Sequence, residues 1–343
     1  MRIILILPCC IGDVVLATAA LRALRRAYPD AHIAWAVGTW SRPVLEGHDT
    51  LNALVDTGPA ALPVKSPLGF LRLVSQLRAG RYDLAVSFVR SPLMSLAVQL
   101  SGIPARAGLD SEGRGFGYTV RVPVDPAQPR HEAELYLEVV RALGIPTEDC
   151  WANVPVQPGA VEAIHARLAA AGLRQPYLVV HPGGGRNPGM TLDAKRWPPE
   201  HFAALANRLS ALRDDPVIVI GGPGDTALVQ AVMGRLERPG AAWAGELRFA
   251  EVAALAKESW LYLGNDTGMT HLAAAAGARA VMILGPSDPK RYAPFTPGSL
   301  AVWKPAAVDP RGVSGGAPRD WDWARDGIGV DEAYARIQAF LLG

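Results

Sequence analysis

A single carboxylate follows the first apolar segment of the chain, in a turn that reads Pro-Cys-Cys-Ile-Gly-Asp over residues 8–13. This turn has one glycine where a dinucleotide-binding fingerprint needs three, so the pattern argues against an NAD-dependent dehydrogenase. Asp13 stands where a helix begins. There it is either a first-turn carboxylate that the helix dipole favours, or a general base that accepts a proton from a substrate. The residues alone leave both interpretations open.

Three consecutive glycines follow a second apolar segment, in the sequence HPGGGRNPG that begins at His181. Gly183, Gly184 and Gly185 expose backbone N–H groups and permit positive φ, which suits a loop that binds an anion. Lys195 follows them in KRWP and supplies a cation just before a helix that proline opens. The alternative is an ordinary flexible loop, and the nearby lysine favours phosphate binding.

A third strand end reads GNDTGMTH and supplies Asp266, Thr267, Gly268 and His271. The free N–H groups where the following helix begins, with the hydroxyl of Thr267 and the bare backbone of Gly268, predict a second diphosphate contact. Taken singly, Asp266 is better explained as a helix cap and His271 as a buried structural histidine, but together with the glycine loop on the same side of the same sheet they favour a binding site. A weaker feature is GGPGD, whose Asp225 stands where a carboxylate binds ribose hydroxyls or merely closes a turn.

Short apolar runs alternate with amphipathic stretches, a pattern typical of parallel sheets covered by helices on both faces. Two such series predict two Rossmann-like domains that face each other across a cleft, with residues 1–157 and 158–328 as the domains and 329–343 as a final helix. In this type of sheet, ligands bind at the carboxyl ends of the strands. The predicted strands are residues 2–7, 32–37, 51–56, 84–88, 103–107, 177–181, 217–220, 261–263 and 280–284.

Composition excludes several classes of protein. The chain has 343 residues, of which 50% are hydrophobic, and a formal net charge of +2, so neither disorder nor nucleic-acid binding is expected. Three cysteines without metal-site spacing do not make a disulfide framework and predict a reducing, cytoplasmic compartment. The apolar N-terminus resembles a signal peptide, but Pro8 and Asp13 interrupt it. No uncharged run is long enough for a membrane span, which leaves peripheral membrane contact open.

Together these motifs resemble glycosyltransferase family 9, the bacterial heptosyltransferases of lipopolysaccharide core assembly. The matching segments are IGDVVLATAALRALRRAYPDAHI, HPGGGRNPG with AKRWPPEHFAAL, GGPGD, and GNDTGMTHLAAAAGARAVMILGPSDP. The resemblance spans nearly the whole chain in the expected order. It implies a GT-B fold whose C-terminal helix crosses back to the first domain, where Tyr334, Ile337, Phe340 and Leu341 would dock. It also implies that residues 1–157 bind the acceptor and carry the catalytic aspartate, and that residues 158–328 bind the nucleotide sugar.

The resemblance also implies an activity: inverting, metal-independent transfer of a heptose from ADP-heptose to a lipopolysaccharide-core or other glycan acceptor, with no cofactor beyond the nucleotide sugar. Asp13 takes the place of the family's catalytic base. Lys195, Asp266, Thr267, Gly268 and His271 take those of its donor contacts. Asp225 is one methylene shorter than the glutamate that the family usually has at the ribose.

Two other classes of function compete with a transferase: an isomerase or hydrolase of nucleotide sugars with this fold, and a non-catalytic nucleotide-sugar-binding protein. The sequence does not name the acceptor. Residues 70–130 contain eight arginines against four acidic residues, an excess that suits an anionic glycolipid at the inner membrane surface or a solvated face equally well.

Overall fold

The computed structural model describes residues 1–188, 190–309 and 320–342, and its chain divides into two compact units, Met1–Pro155 and Val156–Gly343. Gly189, the last residue of HPGGGRNPG, lies outside the described residues. Both units are α/β, as predicted, and each contains a parallel six-stranded sheet. The assignment of acceptor binding to residues 1–157 and donor binding to residues 158–328 stays a prediction.

The sheet of the first unit has the strand order β3-β2-β1-β4-β5-β6. Its strands are β1 Arg2–Ile6, β2 His32–Val37, β3 Ala53–Asp56, β4 Leu84–Ser87, β5 Ala105–Ser111 and β6 Val120–Val124. Its helices are α1 Ile11–Ala27, α2 Pro67–Ala79, α3 Pro92–Leu100 and α4 Glu132–Arg141. Strand β1 is buried because it pairs with β2 on one side and β4 on the other. The strand order reverses between β1 and β4, the point where ligands bind in sheets of this kind.

The sheet of the second unit repeats this topology with the order β11-β10-β7-β12-β13-β14. Its strands are β7 Leu178–His181, β10 Val217–Gly221, β11 Gly240–Ala244, β12 Leu261–Asn265, β13 Ala280–Ile283 and β14 Ser299–Val302, and a two-stranded hairpin joins β8 Arg186–Asn187 to β9 Met190–Thr191. Its helices are α5 Pro158–Ala170, α6 Pro199–Ala211, α7 Thr226–Met233, α8 Phe249–Glu258, α9 Gly268–Ala275, α10 Pro289–Tyr292, α11 Trp323–Asp326 and α12 Val330–Leu342. Here the order reverses between β7 and β12.

The C-terminal helix α12 packs in the core of the second unit, so the prediction that residues 329–343 dock on the first domain is wrong. Ile337 is fully buried in a cluster with side chains of α6 and of the sheet, and Tyr334, Phe340 and Leu341 pack against the same cluster. Arg336 also donates to the carbonyl of Trp303, just beyond β14, at 2.7 Å. The amphipathic face was predicted from the spacing of its apolar residues, but spacing does not identify the surface that covers it.

Cys9 and Cys10 are joined in a disulfide, whereas Cys150 is a buried free thiol. The bridge links adjacent residues, so it ties no distant parts of the chain together. Among the described residues, no helix has the length and apolar character that crossing a membrane requires.

Candidate functional site

Close contacts leave no room for a side chain at any of the three glycines after β7, and for two of them the contact is another candidate site residue. A Cβ at Gly183 would lie 2.3 Å from Oδ2 of Asp225, and one at Gly184 would lie 1.9 Å from Cγ2 of Thr267. Gly184 and Gly185 also have φ of +119° and +71°, which side-chain-bearing residues rarely adopt. The loop is therefore fitted against two neighbouring strand ends, and it is not an ordinary flexible connection.

Lys195 forms a buried ion pair with Asp266 at the centre of this region. Its Nζ lies 2.6 Å from Oδ2 of Asp266, and the two side chains are 12% and 4% exposed. The ammonium also lies 5.4 Å from the ring centroid of Tyr292, within range of a cation–π contact. Burial raises the pKa of Asp266, but the charge and hydrogen bond of Lys195 outweigh it and hold that pKa below its usual value.

Helix α9 begins directly beside this pair. Thr267 is its N-cap residue, and its hydroxyl accepts from the backbone N–H of Thr270 at 3.4 Å. Gly268 is the first residue of the helix, and His271 lies buried in the first turn. An N-terminus of this kind attracts anions, because its N–H groups and the helix dipole both favour negative charge. The structure thus brings together the glycine loop, Lys195 and the start of α9.

Asn265 holds these parts in place, and the sequence analysis did not single it out. This fully buried side chain accepts from the N–H of Trp197 at 2.9 Å and donates to the carbonyls of Pro182 and Gly183 at 2.8 and 3.1 Å. One amide therefore joins the end of β12 to both the glycine loop and the segment that carries Lys195. The available signal was an asparagine at the end of a buried strand, a position where an amide needs partners.

Asp225 lies next to the glycine loop, with its side chain buried. Its Oδ2 accepts from the N–H of Gly222 at 3.0 Å, and among the described residues its Oδ1 has no hydrogen-bond partner. His181 is also buried, and burial lowers its pKa to about 4 despite the opposing charge of Asp225. This geometry makes Asp225 part of the turn, and its binding of ribose stays a prediction.

Asp13 occupies the corresponding place in the first unit, in the first turn of α1. Its Oδ1 accepts from Oη of Tyr136 at 3.1 Å, and its Oδ2 accepts from the N–H of Cys10 at 3.5 Å. Glu132, one turn before Tyr136 on α4, is buried and forms an ion pair with Arg90. Sequence reasoning missed these three neighbours, because nothing in their spacing relates them to Asp13.

The surroundings of Asp13 shift its pKa towards neutrality. Burial, followed by the negative charge of Glu132, raises the pKa of Asp13 to about 6, while Tyr136, the N–H of Cys10 and Arg90 act in the opposite direction. A carboxylate with this pKa is mostly ionised at neutral pH and is more basic than an exposed aspartate. The role of Asp13 as the base stays a prediction, which this pKa suits.

Comparison with known proteins shows which family the chain matches. Residues 70–311 match the family model described as glycosyltransferase family 9 (heptosyltransferase). Lipopolysaccharide heptosyltransferase 2 of Escherichia coli K12 is 29% identical over 311 residues, covering 87% of this chain and 85% of that protein.

Two solved structures share the fold of the chain. The E. coli ADP-heptose lps heptosyltransferase II aligns with a TM-score of 0.76 and 23% identity, over 100% of this chain and 99% of that one. The family 9 glycosyl transferase from Veillonella parvula DSM 2008 aligns with a TM-score of 0.83 and 22% identity, over 99% and 97%.

Proposed function

Because the chain belongs to glycosyltransferase family 9 and has the GT-B fold, we propose that this glycosyltransferase moves a heptose from ADP-heptose to a lipopolysaccharide-core acceptor. The donor is the one that the name of the E. coli structure carries. The transfer inverts the configuration at the anomeric carbon and uses neither a metal ion nor a cofactor.

The observation that carries the proposal is the buried cation beside a helix start. Lys195 and the N-terminus of α9 both place positive charge next to a loop of glycines, where a diphosphate can approach the backbone closely. When the bond from sugar to phosphate breaks, negative charge grows on the leaving diphosphate. Fixed positive groups stabilise that charge without having to reorganise, and this supports catalysis without a metal ion.

Asp13 supplies the base for this reaction. Its carboxylate takes the proton from the acceptor hydroxyl as that oxygen attacks the anomeric carbon, and the diphosphate leaves from the opposite face. One displacement of this kind inverts the configuration. A pKa of about 6 still leaves Asp13 mostly ionised at neutral pH. It also makes the carboxylate a better proton acceptor than an exposed aspartate.

Fewer arginines are available to bind an acceptor than the count of eight in residues 70–130 suggests. Six of the eight arginines in residues 70–130 already bind carboxylates or backbone carbonyls: Arg78, Arg90, Arg106, Arg114, Arg121 and Arg130. The other two, Arg72 and Arg81, are exposed, and Arg72 lies on α2 beside Leu68 and Leu71, which are 81% and 63% exposed. We therefore place contact with an anionic glycolipid, and peripheral contact with the inner membrane surface, at this end of α2.

The test is a transfer assay with purified protein, ADP-heptose and a truncated lipopolysaccharide core, with the product detected by mass spectrometry and its anomeric configuration determined by NMR. Asp13→Asn should keep ADP binding while lowering turnover by about 10²–10⁴-fold. ADP-heptose consumed at the same rate without acceptor would instead indicate a hydrolase. ADP binding with no turnover under any condition would indicate a binding protein.

A further inference from the structure

Helix α4 presents two side chains to Asp13 that have opposite electrostatic effects. Tyr136 and Glu132 are four residues apart and so lie on one face of the helix. Tyr136 donates a hydrogen bond to Asp13, while Glu132 brings a second negative charge that Arg90 balances, with Nη1 of Arg90 3.4 Å from Oε1 of Glu132. Ring packing of Tyr136 against Phe88, with centroids 4.9 Å apart, fixes the position of the hydroxyl.

We propose that Tyr136 is a positioning residue, whose hydroxyl orients the Asp13 carboxylate for proton transfer from the acceptor. The contacts leave little freedom to that carboxylate, because Tyr136 binds one oxygen and the N–H of Cys10 binds the other. A carboxylate oxygen has two lone pairs, and among the described residues each Asp13 oxygen accepts one hydrogen bond, so a lone pair is left to receive the proton. The positioning role rests on the proposed role of Asp13 as the base.

The charged groups around Asp13 support the positioning role of Tyr136. The titratable groups that face Asp13 are Glu132 and Tyr136 from α4 and Arg90 from the segment after β4. Burial and the neighbouring carboxylates raise the pKa of Tyr136 well above 10, so its hydroxyl remains a donor wherever the enzyme works. Tyr136 therefore favours the ionised form of Asp13, and Glu132 disfavours it.

The experiment compares Tyr136→Phe with Tyr118→Phe in the full chain. Tyr118 is a matched control, because it is equally buried in the first unit and its hydroxyl donates to Ser87 at 2.8 Å instead of to Asp13. The direct readout is the pH titration of ¹³C-carboxyl-labelled aspartate by NMR, with the Asp13 resonance assigned by its absence in Asp13→Asn. This readout needs neither donor nor acceptor.

Tyr136→Phe should move the Asp13 titration upward by about one pH unit, the effect of a hydrogen bond to a charged group, whereas Tyr118→Phe should not move it. Glu132→Gln should move it downward, and opposite movements exclude a general loosening of the fold. In the transfer assay, the acid limb of the kcat profile should follow the titration. The kcat plateau of Tyr136→Phe should fall about tenfold or more, with the KM for ADP-heptose unchanged.

The outcomes separate two failures. If Asp13→Asn abolishes turnover but Tyr136→Phe titrates like Tyr118→Phe, the positioning role is refuted and the base survives. If Asp13→Asn turns over at the wild-type rate, the base is refuted and the positioning role with it. If Glu132→Gln does not fold, the comparison of the two tyrosine variants still decides.

Discussion

Removing Lys195 should damage both stability and donor binding, and a second substitution separates the two effects. Lys195→Met leaves the Asp266 carboxylate buried at 4% exposure without the cation that lies 2.6 Å away. Breaking a buried pair in this way costs about 3–5 kcal/mol. At about 2–4 °C per kcal/mol for a unit of this size, Tm should fall by roughly 6–20 °C.

The double variant Lys195→Met/Asp266→Asn should recover most of this stability, because it removes the uncompensated charge. It should still bind ADP weakly, since the cation that meets the diphosphate is absent, while adenosine binding should change little. Differential scanning calorimetry and isothermal titration calorimetry of the four proteins of the cycle measure both quantities. The exposed pair of Arg208 with Asp331 is the control, and Arg208→Met should cost less than about 1 kcal/mol.

The stability that the Lys195–Asp266 pair contributes depends on pH, and the direction of this dependence follows from the lowered pKa of Asp266. Because the pKa of Asp266 is held below its usual value of 3.8, its ion pair stabilises the fold above that pH and loses this contribution as the pH falls through the lowered pKa. The difference in stability between wild type and Lys195→Met should therefore be full at neutral pH. A Lys195→Met variant as stable as wild type refutes the ion-pair argument, and a double variant with wild-type ADP affinity refutes the diphosphate contact.

Three further predictions concern the two units separately. Asp13→Asn should stabilise the chain at neutral pH by about 1–2 kcal/mol, because a pKa raised to about 6 makes the partly buried charge unfavourable only where Asp13 is ionised, and the gain should disappear below pH 3.8. Denaturant unfolding at a series of pH values measures the gain, and a gain that grows in acid contradicts the argument. Gly184→Ala should abolish ADP binding measured by calorimetry, since its Cβ would lie 1.9 Å from a Thr267 methyl, whereas Gly159→Ala has open space in α5 and should bind normally; wild-type affinity in the former would show that the loop adapts. Asn265→Asp cannot donate to the two carbonyls, so both its Tm, by several degrees, and its ADP affinity should fall. An unchanged Tm would show that these hydrogen bonds do not hold the loops together.

The inner strands were predictable because burial on both faces leaves an unmistakable apolar run, as in β1 and β7. The outer strands β6, β11 and β14 were not predicted. These three strands are at sheet edges and are covered less completely, although the edge strand β3 was predicted; β11, with the sequence GAAWA, has no β-branched residue, the type most typical of strands. The surface that covers α12 was also assigned wrongly.

The candidate site was predictable where its chemistry lies along the chain and unpredictable where it depends on contacts across the fold. The glycine loop and the residues around Thr267 follow strands directly, so a rule about strand ends finds them. Tyr136 meets Asp13 across 123 residues of sequence, and only the packing of α4 on α1 brings them together. The pairing of Lys195 with Asp266 was missed for the same reason, although both residues had been assigned to the donor.

The hydrogen bonds of Asn265 make the formation of the proposed nucleotide site depend on the order in which the chain folds. Its amide bonds the carbonyl of Pro182, 83 residues earlier in the chain, so the two loops meet only after β7 has paired with β12. Contacts between such distant residues require a long stretch of chain to be closed first, which slows their formation. Partly folded molecules should therefore lack the proposed nucleotide site, and a nucleotide present during refolding should draw the population towards chains whose second sheet is complete.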